Sequence, residues 1–164
     1  MTNVRPALLV VSFSFLVLSS SHTIRAQGRP DFSGTWSMDR SRSESAMQTD
    51  PIGPTTIVIT QTPTSLQMAM TRDGRTASIA YRLDGAPSPI PGGTATSHWE
   101  GPTLVTETVR DIQGQTVTTK ESRRLNENGS EMLVETVLVV QHGYTLKGTQ
   151  NYSSGRDVFT RVRE

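Results

Sequence analysis

From Thr55 to the C-terminus the chain repeats one pattern: a short run rich in Thr, Val and Ile, then a cluster of turn residues, with no helical periodicity between them. Side chains branched at Cβ are crowded in a helix and comfortable on a pleated surface, so the pattern points to antiparallel strands joined by hairpins. Thr55 to Gln61 is one such run. In Leu66 to Arg72, Leu66, Met68 and Met70 alternate with Gln67, Ala69 and Thr71, the period of two of a half-buried strand. Arg72-Asp73-Gly74-Arg75 then closes a two-residue hairpin, because Asp-Gly accepts the positive φ angles of a type I′ turn. Arg75 to Leu83 returns with Ala77, Ile79, Tyr81 and Leu83 set against Thr76, Ser78, Ala80 and Arg82.

Asp84 to Gly93 is so rich in Pro and Gly that it reads as a loop or a partly disordered lid. Thr94 to Glu100, Leu104 to Asp111, Gln115 to Leu125 and Met132 to Gln141 follow at hairpin spacing, with Gly101-Pro102, Gln113-Gly114 and Asn126 to Gly129 as turns. Tyr144 to Asn151 and Val158 to Arg163 finish the chain, separated by Ser153-Ser154-Gly155-Arg156 read as a turn. An open meander would leave two reactive edges, so it closes into a barrel or folds into a sandwich, and sequential hairpins favour the barrel. The expectation is an all-β domain over 27–164: a single antiparallel meander barrel of about eight to ten strands, with little or no helix. Asp39 to Pro54, with Ser41 and Glu44 at capping-box spacing, allows one helical turn or an irregular crossover, the latter favoured.

The N-terminus has a different character. Arg5, the apolar run Ala7 to Leu18 and the small polar exit Ser19 to Ala26 follow the order of a secretory signal peptide, with cleavage expected after Ala26. The run is shorter than the roughly 20 apolar residues of a membrane-spanning helix. An exported product, periplasmic or extracellular, is therefore expected, with no membrane span in its mature form. The chain has no Cys, so burial and backbone pairing alone must hold the domain together.

Without 1–26 the charge is 14 Lys and Arg against 15 Asp and Glu, interspersed, which gives no footprint for nucleic acid. His98 and His142 are the histidines left, too few for zinc with no Cys beside them. A single His in a barrel can hold haem iron, but a lone one on a Thr-rich strand is more often a hydrogen-bonded surface residue, so no cofactor is expected. No nucleophile elbow, phosphate loop or dinucleotide fingerprint is present, so no catalytic residue is assigned.

Asp31-Phe32-Ser33-Gly34-Thr35-Trp36, Tyr81-Arg82-Leu83-Asp84-Gly85, Trp99-Glu100-Gly101 with Leu104-Val105, and Glu121-Ser122-Arg123-Arg124-Leu125 with Asn128-Gly129 together resemble secreted bacterial proteins of lipocalin-like or calycin-like type. The resemblance spans most of 27–164. It implies that Gly34 and Trp36 belong to the Gly-x-Trp element, that Trp36 plugs one end of the barrel, and that Arg161 or Arg163 stacks on it. It also implies a cup for a small apolar ligand. The Thr-Asp-Tyr motif and the disulfides of lipocalins proper are absent.

Met68, Met70, Ile79, Tyr81 and Trp99 are the candidate apolar wall of that cup, and equally the candidate core of a barrel without one. Glu107 alternates with Val105 and Val109, so it is expected inside, against Arg123 or Arg124, as a polar anchor for a ligand head. The functions in play are a binding barrel for a small hydrophobic or amphipathic ligand, with a cavity opening near Asp84 to Gly93, and a filled structural or protein-interaction module of the cell envelope. An enzyme in the barrel mouth comes last, since no cluster of titratable groups can be assembled from spacing.

Overall fold

A computed structural model describes residues 28–48, 52–141 and 150–163; residues 1–26, His142 and Tyr144 lie outside this set. The described chain forms ten antiparallel strands: β1 (Gly34–Met38), β2 (Thr55–Gln61), β3 (Ser65–Arg72), β4 (Arg75–Arg82), β5 (Ser88–Ile90), β6 (Gly93–Glu100), β7 (Thr103–Ile112), β8 (Gln115–Leu125), β9 (Glu131–Gln141) and β10 (Gln150–Arg161). Their order in the sheet is β4-β3-β2-β1-β10-β9-β8-β7-β6-β5. The first strand thus pairs with the last, Trp36 opposite Arg161 and Met38 opposite Phe159, and the sheet curls until its edges, β4 and β5, face each other. At this seam Arg82 N donates to Ser88 Oγ at 2.8 Å and Gly85 N to Ser97 O at 3.1 Å, so the barrel is nearly closed. Among the described residues no helix is long and apolar enough to cross a membrane.

Two hairpins follow the turn chemistry of the sequence. Asp73 and Gly74 have φ of 49° and 73°, and Gln113 and Gly114 of 54° and 77°, the consecutive positive values of type I′ turns. Three segments depart from expectation. Within Asp84 to Gly93, Ser88–Ile90 forms the short edge strand β5; Pro89 is tolerated because an edge strand can leave one side unpaired. Ser153 to Arg156 is not a turn but the interior of β10, in register with Leu138 to Glu135 of β9. The glycine there serves close approach: a Cβ on Gly155 would lie 2.1 Å from Ala46 N and 2.3 Å from Glu44 O. Between β1 and β2 the chain makes one 3-10 turn, Arg40–Arg42, capped by Asp39 rather than Ser41, with Asp39 Oδ1 accepting from Ser41 N at 3.1 Å. Glu44 then pairs with Arg156, and the segment passes over Gly155.

One end of the barrel is sealed. Trp36 is fully buried, its Nε1 donating to Phe32 O at 2.9 Å, and the Arg161 guanidinium carbon stands 4.2 Å from the Trp36 ring centroid. The same guanidinium donates to Ser33 O and to Gly129 O, tying the entering chain to the β8–β9 loop. Gly34, at φ 131°, leaves room for it: a Cβ there would lie 2.6 Å from Arg161 Nη1. Phe32, also fully buried, stacks on Trp99 with centroids 6.0 Å apart. Gln61 locks this plug by accepting from Phe32 N at 3.0 Å and donating to Pro30 O at 3.0 Å.

Trp36→Ala should lower unfolding stability by about 3–5 kcal/mol in chemical denaturation, the cost of an aromatic cavity in a packed core. A loss below about 1 kcal/mol would show that the Trp36 end is not held by this ring. Gly155→Val should displace the 44–46 segment, seen as faster amide exchange at Glu44 and Arg156; unchanged exchange would refute the close approach.

Candidate functional site

The inner face of the barrel changes character along its axis. Near the Trp36 end it is apolar and closed, with Ile57, Ile59, Leu66, Leu104, Met132 and Phe159 buried around Trp36. Midway it becomes polar. The ladder places Ser97 opposite Thr106, Thr106 opposite Glu121 and Glu121 opposite Thr136, one inward row across β6 to β9. Ser97, Thr106 and Thr136 are buried, and the Ser97 and Thr106 hydroxyls are 2.9 Å apart.

Arg123 lies in the adjacent row, opposite Leu104 and Val134, and is 2% exposed. Its Nη2 donates to Glu121 Oε2 at 2.5 Å, while Nε and Nη1 are buried without a partner. Arg110 Nε on β7 is buried and unpartnered as well. Burial opposes the charge on Arg123, but the Glu121 carboxylate and the Tyr81 phenol outweigh it and hold its pKa above the ordinary arginine value. Burial pushes the Tyr81 phenol up, with Arg123 and Arg110 pulling the other way. Asp157 on β10, opposite Val134, is 8% exposed; Ser45 Oγ donates to its Oδ2 at 3.2 Å and its Oδ1 has no partner. Burial raises its pKa against that hydrogen bond and the nearby Arg72 charge, and Glu121 adds to the rise.

At the Asp73 end, opposite the sealed one, inward positions become accessible. Met70, Arg72, Asp73, Arg75 and Ala77 line a recess of about 530 Å³ at the β3–β4 hairpin, at the same end as the Pro91-Gly92 turn.

The six positions picked as ligand contacts divide accordingly. Met68 pairs with Ile79, Met70 with Ala77 and Leu66 with Tyr81, so Met68, Met70, Ile79 and Tyr81 share one inner surface on β3 and β4. Met68 and Tyr81 are buried there; Met70 and Ile79 are partly exposed. Trp99 lies at the sealed end against Phe32, with Arg29 over its ring at 5.7 Å. Glu107 stands on the outer face, exposed, opposite Thr96 and Lys120, and is not the interior anchor. The inward phase of β7 is Leu104, Thr106, Thr108 and Arg110, so Val109, taken as inward, stands exposed outside. Glu121 supplies the interior carboxylate instead, paired with Arg123, while Arg124 faces Glu135 at 3.6 Å on the surface. The signal that would have found it is the alternation Val117, Thr119, Glu121, Arg123, Leu125 in β8, ionic at the centre and apolar at both ends. His98 is on the outer face, 3.0 Å from Glu100.

No protein-family model matches the chain, and no curated protein matches it in sequence. Solved structures do match in shape. A lipid binding protein 8 of Caenorhabditis elegans in its apo form superposes with a TM-score of 0.52 at 11% identity, over 80% of this chain and 95% of that one. Human cRBP IV gives 0.54 at 14% identity, over 81% and 99%. A fatty acid transporter mutant gives 0.52 at 13%, over 80% and 98%. The likeness establishes the fold, an antiparallel barrel shared with lipid-binding proteins.

The folded chain holds the Asp157 proton more tightly than the unfolded chain, so its contribution to stability falls as the pH rises from the ordinary 3.8 through the raised folded value. Asp157→Asn should therefore raise the melting temperature at pH 7, with the gain fading below about pH 4. A variant no more stable than the wild type at pH 7 would mean that Ser45 and Arg72 fully offset the burial.

Proposed function

We propose that this chain, exported with removal of residues 1–26, is a barrel that holds one small apolar or amphipathic molecule in its interior, in the periplasm or outside the cell. The observation that carries this is the asymmetry of the inner face, sealed at Trp36 and exposed to solvent in part at Met70 and Ala77, where the β3–β4 hairpin lines a recess of about 530 Å³. A small-molecule site is concave, largely apolar and furnished with a few fixed polar groups, and volumes of roughly 300–1,000 Å³ are usual. The fold shared with a lipid binding protein and a fatty acid transporter supports the same class of ligand. Export is supported by the order of Arg5, the Ala7 to Leu18 run and Ala26.

One observation favours a second reading, an interaction module: the outer face of β2 to β4 carries an uncharged groove of about 300 Å³ with Val58, Ala69 and Ala80 on it. A partner there would leave interior substitutions without effect.

A fluorescent fatty-acid analogue should bind the protein one to one, and Ala77→Trp, which fills the recess, should weaken it by about tenfold or more with little change in melting temperature. Absence of binding by the wild type, or full binding by Ala77→Trp, would move the function to the outer face. The exported product should begin at Gln27 by intact mass, and a product that retains residues 1–26 would refute the processing.

A further inference from the structure

We infer that β4 is a docking edge for a second copy of this chain, which it meets antiparallel, strand to strand, in twofold register about Ser78. The inference is independent of whether the interior holds a ligand.

In a two-residue hairpin the residues that flank the turn exchange both backbone hydrogen bonds, and bonded and non-bonded pairs alternate from there along the ladder. Arg72 and Arg75 flank the Asp73-Gly74 turn, so Arg75, Ala77, Ile79 and Tyr81 direct their backbone N–H and C=O groups at β3. Thr76, Ser78, Ala80 and Arg82 direct theirs across the seam toward β5. Two bonds mark this phase: Leu83 N donates to Thr64 O on the β3 side, and Arg82 N to Ser88 Oγ on the seam side. Among the described residues, Thr76, Ser78 and Ala80 have no partner for the backbone groups they turn to the seam. β5 does not supply one: it ends after three residues, and its seam-facing residue is Pro89, which has no N–H.

Exposed strand edges are normally blunted by proline, a bulge, a lysine or shortness. β5 carries two of these devices and β4 carries none between its ends. β4 is eight residues long, pairs with β3 without a bulge, and presents Thr76, Ala77, Ser78, Ile79 and Ala80 between Arg75 and Arg82. Ile79 is half-buried and the other four are exposed. The outer face beside this edge is uncharged as well, with Val58, Gln67 and Ala69 on it.

The occupant follows from the complementarity of this edge to itself. Placing Ser78 opposite Ser78 of a second copy sets Thr76 opposite Ala80, Ala77 opposite Ile79 and Arg75 opposite Tyr81. In that register every seam-facing N–H of Thr76, Ser78 and Ala80 meets a seam-facing C=O of the other copy. No like charges are opposed, and the side chains at the axis are small hydroxyls and methyls. Ala77 and Ile79, apolar positions open at the seam, cover each other. Gly74 comes opposite Arg82, which sets the acidic Asp73 turn of each copy beside the Arg82 end of the other. The contact is isologous and closes as a pair.

The test is sedimentation of the mature protein. The wild type should form a reversible dimer with a Kd below about 100 µM. Ser78→Lys and Ser78→Glu each set like charges face to face on the axis and should weaken the dimer by about tenfold or more, and an equimolar mixture of the two should restore it as a heterodimer. Ser78→Pro removes a seam-facing N–H and no bond to β3, so it should give a monomer with the far-ultraviolet circular dichroism of the wild type. A wild type that stays monomeric at about 100 µM, or a dimer that persists in both Ser78→Lys and Ser78→Pro, overturns the inference. A dimer lost in both charged variants and not restored by mixing them overturns it too, because the axis then does not pass through Ser78.

Discussion

The pairing of β1 with β10 is the contact on which the rest of the structure depends. Without it the strands fall into two separate ladders, β1 to β4 and β5 to β10, each with two edges; with it they form one sheet that curls round an inside. The pairing is enforced by chemistry at one point. Arg161 is in register with Trp36, stacks on its ring and reaches Ser33 O and Gly129 O, so one side chain fastens the entering segment, the first strand and the β8–β9 loop. A partly buried cation on an aromatic face contributes about 0.5–2 kcal/mol, and the apolar burial behind it contributes more. Gly34 is the concession that makes the clamp fit, because any side chain there would meet the guanidinium.

Closing one end leaves the interior to be filled from the other, and this chain fills it unevenly. Large apolar side chains pack the Trp36 end, a girdle of Ser, Thr and buried ions crosses the middle, and partly exposed Met70 and Ile79 approach the Asp73 end. A barrel stabilised only for its own sake would do better with hydrocarbon at Arg123 and Asp157, since buried ion pairs are weak sources of stability and unpartnered donors are costly.

Much of the architecture was legible in the sequence. The alternation in Leu66 to Leu83 placed Met68, Met70, Ile79 and Tyr81 inward because apolar period-two runs have one stable orientation on a half-buried sheet. Asp73-Gly74 fixed a hairpin for a local stereochemical reason. What escaped was decided by tertiary context. Ser153 to Arg156 has the composition of a turn, but Gly155 is needed beneath the crossing 44–46 segment, a contact more than a hundred residues away in sequence. Ser88–Ile90 pairs despite Pro89 because its other side is an edge. The phase of β7 was misread because its inner face is threonine, and hydrophobicity selected Val105 and Val109 as inward, carrying Glu107 with them. Binary patterning fails where an interior is polar, and polar interiors gather at functional sites.

The central claim is that the inner surface of β3 and β4, not the outer one, receives the ligand. Methyl NMR of the mature protein, labelled at Met, Ile and Ala and titrated with a long-chain fatty acid, tests it directly. Shifts at Met68, Met70, Ala77 and Ile79 with Ala69 and Ala80 unmoved are the predicted result. Shifts at Ala69 and Ala80 alone, or none at any of these methyls, would contradict it.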